Sequence, residues 1–226
     1  MMFKSVKTSL LAAVLVGSAI IANAQKKISQ GTVVYGVEYS LPAEQAAMAA
    51  QLPKEQKVKF NGNVLRIDMQ QGPATIGILQ DFVDKKGLML IDVPMAQIQY
   101  AVKMSKEDVE KAEASAPKLS DFKATGEKQK VGNYNAEKYT YKDDKGGAYE
   151  LWASNEVELP TGFAGDQFKE IKGALVKYTT FQNGLKVTLT IKNILEDKVG
   201  PFSLEVPSGY ELKTMQEIMA MQGGGQ

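Results

Sequence analysis

Apolar and polar residues alternate along much of the chain, and this period of two predicts β-strands. In residues 31–40, Val33, Tyr35, Val37 and Tyr39 share one face of such a strand. Similar alternation recurs over residues 64–69, 74–82, 97–103 and 185–191. Residues 88–93 are instead almost wholly apolar, which is typical of a strand that is covered on both faces.

Turn signals and helical patterns separate these strands. Asn61-Gly62 and Asn183-Gly184 each predict a tight hairpin. Residues 42–52 are rich in Ala, Gln and Met and predict a short helix, and a second helix is predicted to begin after Ser105 in a capping box. Residues 202–206 predict a last strand and residues 214–221 a third helix.

About ten closely spaced strands predict a mainly β (α+β) fold built as an antiparallel meander. A single sheet of that many strands has to curl to bury its apolar face, so an open half-barrel with two or three covering helices is expected. The sequence shows neither an internal repeat nor a linker. Residues 25–222 are therefore predicted to form one domain, followed by a disordered tail over residues 223–226.

The first 24 residues have the pattern of a secretory signal. Lys4 and Lys7 precede an apolar run over residues 10–21, and Ala22-Asn23-Ala24 follows as a cleavage site. This predicts a periplasmic or secreted protein of a Gram-negative bacterium that begins at Gln25; an uncleaved anchor is the alternative. Position 25 is not Cys, so no lipid anchor is expected, and no later apolar run is long enough to span a bilayer.

The composition removes several classes of chemistry. The chain has no His and no Cys, so a Ser-His-Asp triad is impossible and zinc, haem and iron–sulfur clusters lose their usual ligands. Charges are balanced, with 27 basic and 26 acidic residues, which argues against nucleic acid as a partner. The turn at residues 143–147 lacks the ligand pattern of a calcium loop. We therefore expect no enzyme, catalytic residue, metal or cofactor; a Ser/Lys dyad or paired carboxylates stay open as an enzymatic alternative.

Methionine is the mildly unusual component, because eight of the ten Met residues follow the predicted cleavage site. Met side chains are flexible and suit surfaces that adapt to varied apolar partners, although they also fill ordinary cores. The predicted residues of an apolar ligand site are Met48, Leu52, Met69, Ile76 and Trp152.

Four short motifs resemble a known pattern in the same order. Residues 130–139 resemble an "I-x-G-Y-x-x-x-K" strand signature and residues 149–153 an "E-[VL]-W" strand. Residues 173–175 resemble a "G-x-P-L" segment without its Pro, and residues 202–210 a closing "F-x-x-P-x-G-Y". Behind a signal peptide, this order resembles an uncharacterised family of secreted proteins common in Bacteroidetes, which is similar to the lipoprotein-carrier (LolA/LolB-like) superfamily.

The resemblance implies an unclosed β-barrel whose helices cover an apolar cavity for acyl chains. It implies no catalytic residues, and the Arg typical of true lipoprotein carriers is not assigned, since Arg66 is the chain's only Arg. The expected function is a non-enzymatic binding protein that holds a lipid or another apolar molecule. The alternative is a cell-envelope interaction protein with a filled core and no small-molecule ligand.

Overall fold

A computed structural model describes residues 25–44, 52–182 and 185–223 of the protein. The predicted signal sequence, most of the helix predicted over residues 42–52, the Asn183-Gly184 turn and residues 224–226 lie outside these ranges. Within them the strands are β1 (Lys26–Lys27), β2 (Gln30–Ser40), β3 (Glu55–Asn61), β4 (Val64–Gln71), β5 (Ala74–Asp81), β6 (Lys86–Val93), β7 (Ile98–Met104), β8 (Leu119–Val131), β9 (Tyr134–Asp143), β10 (Ala148–Ser154), β11 (Val157–Glu158), β12 (Ala174–Gln182), β13 (Leu185–Leu195) and β14 (Glu211–Leu212). The helices are α1 (Lys106–Ser115) and α2 (Met215–Gly223).

Twelve of the described strands form one sheet in the order β14-β7-β6-β5-β4-β3-β2-β13-β12-β10-β9-β8. The prediction of a mainly β fold is confirmed, with more strands than the expected ten. The first half of the sheet is the antiparallel meander β2–β7, and the second half consists of β8, β9, β10, β12 and β13. The two halves join where β2 pairs with β13. Two short pairs, β14 with β7 and β1 with β11, are parallel.

The strand registers define two faces of the sheet. The face that carries Tyr35, Phe60 and Leu189 is called the core face, because it holds most of the main hydrophobic cluster. The opposite face is called the second face. On β6, as predicted from its apolar run, both faces are apolar: Leu88 and Leu90 lie on the second face.

Residues 202–210 cover the second face of β5–β7 as an irregular segment. The prediction of a strand over residues 202–206 is wrong, because this segment pairs with none of the described strands. Every second side chain of this segment packs on a cluster that contains Leu88 and Leu90, and these side chains are Phe202, Leu204 and Val206. The same period of two therefore arises without a β-ladder.

Helix α1 connects the two ends of this sheet, running from β7, the strand next to the β14 edge, to β8 at the other edge. Ser105 and Asp108 form the predicted capping box, since each side chain accepts a hydrogen bond from the other residue's backbone N–H. Only Val109 of this helix is buried, so the helix lies on the surface of the fold. Lys85, in the β5–β6 turn, ties the helix to the rest of the fold through Glu113 at 2.8 Å and Asp166 at 2.7 Å.

The loop over residues 159–173, called the core loop, packs against both halves of the sheet. Its Phe163 contacts Phe60 of β3 with ring centroids 5.1 Å apart. Its Phe168 lies 5.3 Å from the ring of Tyr178 on β12 and 6.0 Å from that of Tyr141 on β9. The loop thereby supplies part of the main core.

Helices long and apolar enough to cross a bilayer do not occur among the described residues.

Candidate functional site

A row of partly exposed apolar side chains crosses the core face of the first half. Met69, Ile76, Ile91 and Tyr100 are consecutive cross-strand partners on β4, β5, β6 and β7, so they share one face. The side chain of Met69 is 39% exposed, and the other three are half-buried. This set of four residues is called the apolar row. The neighbouring row of Ile67, Ile78, Met89 and Val102 continues the same apolar surface.

The end of the apolar row is closed by the C-terminal part of the chain. Tyr100 pairs with Glu211 of β14, and the Lys213 ammonium lies 5.4 Å from the Tyr100 ring centroid. Lys213 also pairs with Glu211 at 2.6 Å, and this contact raises the pKa of the lysine. The Lys213 cation therefore lies over the ring at the Tyr100 end of the row, whereas the Met69 side chain at the other end is 39% exposed.

The five predicted ligand residues do not form one cluster. Met69 and Ile76 are direct partners in the apolar row, whereas Leu52 is half-buried just before β3 and Met48 lies outside the described residues. Trp152 lies on the opposite face of the sheet, because its register partners Lys138 and Lys177 belong to the second face. Trp152 and Met69 therefore do not share a face. Period-two alternation shows which residues of one strand share a face, but it does not relate distant strands.

Two members of the apolar row were missed from the sequence. Ile91 lies in a run that is apolar on both faces, so alternation could not assign it to either. Tyr100 stands in an alternating strand, and its place beside Ile91 depends on the β6–β7 register. Counting residues outward from the β5–β6 and β6–β7 turns gives the register of these hairpins, and that register would have aligned Ile91 and Tyr100 with Ile76.

The core face of the second half is occupied by the core loop. Phe168 is 4% exposed and touches the rings of Phe122, Tyr141 and Tyr178. Burial raises the pKa of both Tyr141 and Tyr178 to about 12. The core loop thus covers the core face of the second half, whereas the apolar row on the core face of the first half is partly exposed.

The β9–β10 turn, considered above as a calcium loop, is held together by one carboxylate. Asp143 accepts hydrogen bonds from the backbone N–H groups of Lys145 and Gly147 and from the Tyr149 hydroxyl, at 2.9, 2.6 and 2.7 Å. These bonds, that of Tyr149 first, lower the pKa of Asp143, and the same contact raises the pKa of Tyr149 to about 12. Among the described residues no three His, Cys, Asp or Glu side chains gather in a metal-binding arrangement.

The lowered pKa makes Asp143 a source of acid sensitivity. Its ionised form is favoured by folding, so its contribution is complete above the ordinary Asp range and is lost as the pH falls through the lowered folded value. We expect Asp143→Asn to be less stable than the parent at neutral pH, with a difference that shrinks as the pH falls below the ordinary range of Asp pKa values. Urea unfolding across this range measures it. Asp144→Asn, which removes an acceptor of a single backbone N–H, is the matched control; parallel pH curves for the parent and Asp143→Asn would contradict the assignment.

No known protein family matches the sequence, and neither does any curated protein. Among solved structures, one of PNGF-II aligns with 87% of this chain at 12% identity and a TM-score of 0.47. The chain spans about a third of the length of that protein, with 34% covered.

Proposed function

We propose that the protein is an exported, non-enzymatic binding protein that holds a lipid or another apolar molecule on the apolar row. The observation that carries this proposal is the row itself. Its four residues are consecutive cross-strand partners on one face, and the side chain of Met69 is 39% exposed. Three strand spacings give it a length of about 14 Å, enough to contact much of one acyl chain. Each buried methylene contributes about 0.8 kcal/mol, so even partial burial of a chain gives useful affinity.

We propose further that the sheet curls into an open half-barrel with the apolar row inside. The order of the sheet puts β7 and β8 ten spacings apart, about 48 Å in a flat sheet. The ten residues of α1 span about 15 Å, and each residue that flanks the helix adds about 3.3 Å. The whole connection is therefore much shorter than the distance between β7 and β8 in a flat sheet. The contacts of the core loop with both halves support the same curvature. This architecture agrees with the resemblance to the lipoprotein-carrier superfamily, and a signal sequence would deliver the protein to the periplasm or the outside.

A charge at the Met69 end of the apolar row tests the proposal. We expect Met69→Asp to abolish uptake of a fluorescent fatty acid, because burial of the ligand would strip water from the new carboxylate. Met95→Asp is the matched control: Met95 is 92% exposed in the β6–β7 turn, outside the row. Titration of both purified variants and the parent with anthroyloxy-stearate measures the effect. Equal uptake by the parent and Met69→Asp would place any ligand elsewhere.

The alternative function, an envelope interaction protein with a filled core, is favoured by one specific observation. The core loop already fills the core face of the second half with Phe168 and reaches Phe60 of the first half with Phe163. A parent protein that binds no fatty acid and carries no extractable lipid by native mass spectrometry would support this alternative.

A further inference from the structure

The second half of the sheet contains a cleft that the proposed lipid site does not use. Strands β10 and β12 are paired only at Trp152–Lys177, Ala153–Leu175 and Ser154–Ala174. Beyond Trp152 no further residues of the two strands are paired, although β10 begins at Ala148 and β12 continues to Gln182. A cleft of about 660 Å³ opens at this place and extends over the neighbouring strands, which is a volume typical of small-molecule sites.

The separation leaves backbone groups of both strands without a ladder partner. One of them, the Thr179 carbonyl on β12, accepts a hydrogen bond from the Tyr141 hydroxyl at 3.2 Å. This side-chain bond replaces a ladder bond and stabilises the open arrangement. Other backbone groups along this stretch have no partner in the β10–β12 register, and such groups can donate and accept hydrogen bonds as those of a sheet edge do.

The walls of the cleft carry an excess of positive charge. Lys123, Lys142, Lys177 and Lys186 line it, opposed by Asp121 and Glu150. Both carboxylates are already engaged, since Asp121 lies 3.8 Å from Lys142 and Glu150 lies 2.8 Å from Lys138. Within the described ranges no ion pair involves Lys123, Lys177 or Lys186. Three ammonium groups therefore face one space without a carboxylate of their own.

Hydroxyl groups and aromatic rings complete the lining. Thr140, Thr179 and Thr188 present hydroxyls to the cleft, and each hydroxyl can donate and accept. The ring of Tyr149 lies at the wall with the Lys186 ammonium 4.6 Å from its centroid. Trp152 lies where the two strands begin to separate. A ligand that complements these walls bears negative charge and several hydroxyl groups.

We propose that this cleft binds a short acidic saccharide, with its acid group near Lys177 and Lys186 and its hydroxyls bonded to the threonines and the free backbone groups. A carboxylated and a sulfated sugar share the required chemistry. The site is independent of the apolar row, which lies on the core face of the other half of the sheet. If one of the two sites does not bind its proposed ligand, the proposal for the other site is unaffected.

The only tryptophan of the chain reports on this cleft directly. We expect digalacturonate or a chondroitin sulfate disaccharide to change Trp152 fluorescence in a saturable way. The sugar that binds more tightly shows whether the cleft prefers a carboxylate or a sulfate group. Cellobiose, a neutral sugar, should have no effect at the same concentrations. Lys177→Met and Lys186→Met should each weaken binding about tenfold, the loss expected for one charge-assisted hydrogen bond. Lys111→Met, on the exposed surface of α1, should leave binding unchanged.

Four results would overturn the proposal. Absence of binding by both acidic sugars excludes the ligand class, and equal binding of cellobiose removes the role of charge. Equal response to inorganic phosphate at matched charge reduces the cleft to a nonspecific anion site. Fluorescence changes that occur only with vesicles of anionic phospholipid assign the lysines to a membrane surface instead. Calorimetry on the same variants confirms that the fluorescence change measures binding.

Discussion

Replacing Phe168 by alanine is expected to lower the free energy of unfolding by about 3–5 kcal/mol, the usual range for a fully buried phenylalanine. Phe168 is 4% exposed and contacts the rings of Phe122, Tyr141 and Tyr178, which come from three strands of the second half. The cavity left behind would be lined by rigid rings that cannot collapse into it. For a domain of this length, the loss corresponds to a decrease in Tm of roughly 10 °C.

Thermal unfolding followed by circular dichroism measures this effect. Met95→Ala is the control, because Met95 is 92% exposed and its truncation should change stability by less than about 0.5 kcal/mol. We also expect Phe168→Ala to become cleavable by proteases within the core loop, because the loop loses its main attachment to the sheet. A Tm within about 2 °C of the parent would show that the core loop contributes little to the core.

Gly173→Ala is expected to destabilise the protein by about 3 kcal/mol for two additive reasons, backbone strain and overpacking. Gly173 ends the core loop with a φ of +88°, a conformation that residues with a Cβ adopt at a cost. An added Cβ would also collide with the Ser154 carbonyl and lie 2.8 Å from the Asn155 amide oxygen. Ser154 is fully buried and pairs with Ala174, so neither strand can give way easily.

Gly126→Ala separates these two contributions. Gly126 has a similar φ of +79°, but nothing lies within 4 Å of a Cβ built there. Gly126→Ala therefore introduces backbone strain without a steric collision and should destabilise the protein by about 1 kcal/mol. Chemical denaturation of both variants measures the difference. Equal losses would mean that the Ser154 carbonyl moves aside and that the junction between the core loop and β12 is more compliant than its packing indicates.

Local patterns predicted most of the elements of this fold. Alternation located the strands, Asn61-Gly62 marked a hairpin, and Ser105 with Asp108 predicted the start of α1. These features depend on residues that are close in sequence, where turn chemistry and side-chain period act directly. The prediction of a strand over residues 202–206 was wrong for a related reason, since a flat apolar surface imposes the same period of two on an unpaired segment that covers it.

Long-range features escaped prediction because they depend on register. Met69 and Ile76 were correctly placed on one surface, since they flank a short turn. Trp152 was predicted to belong to the same ligand site, whereas a chain of register partners through β12, β13, β2 and β3 places it on the opposite face. The core loop carries no period at all, and its two phenylalanines are recognised as core only after the strands they touch are known.

The β2–β13 pair has a consequence for how the chain folds. Each half of the sheet is built almost entirely from neighbours in sequence, whereas this one ladder joins strands from opposite ends of the domain. Closing so long a loop loses much chain entropy before any contact is gained, so the ladder is expected to form after the hairpins on either side. The folding chain would then carry two partly assembled sheets, each with an unprotected edge at β2 or β13, until these two strands pair.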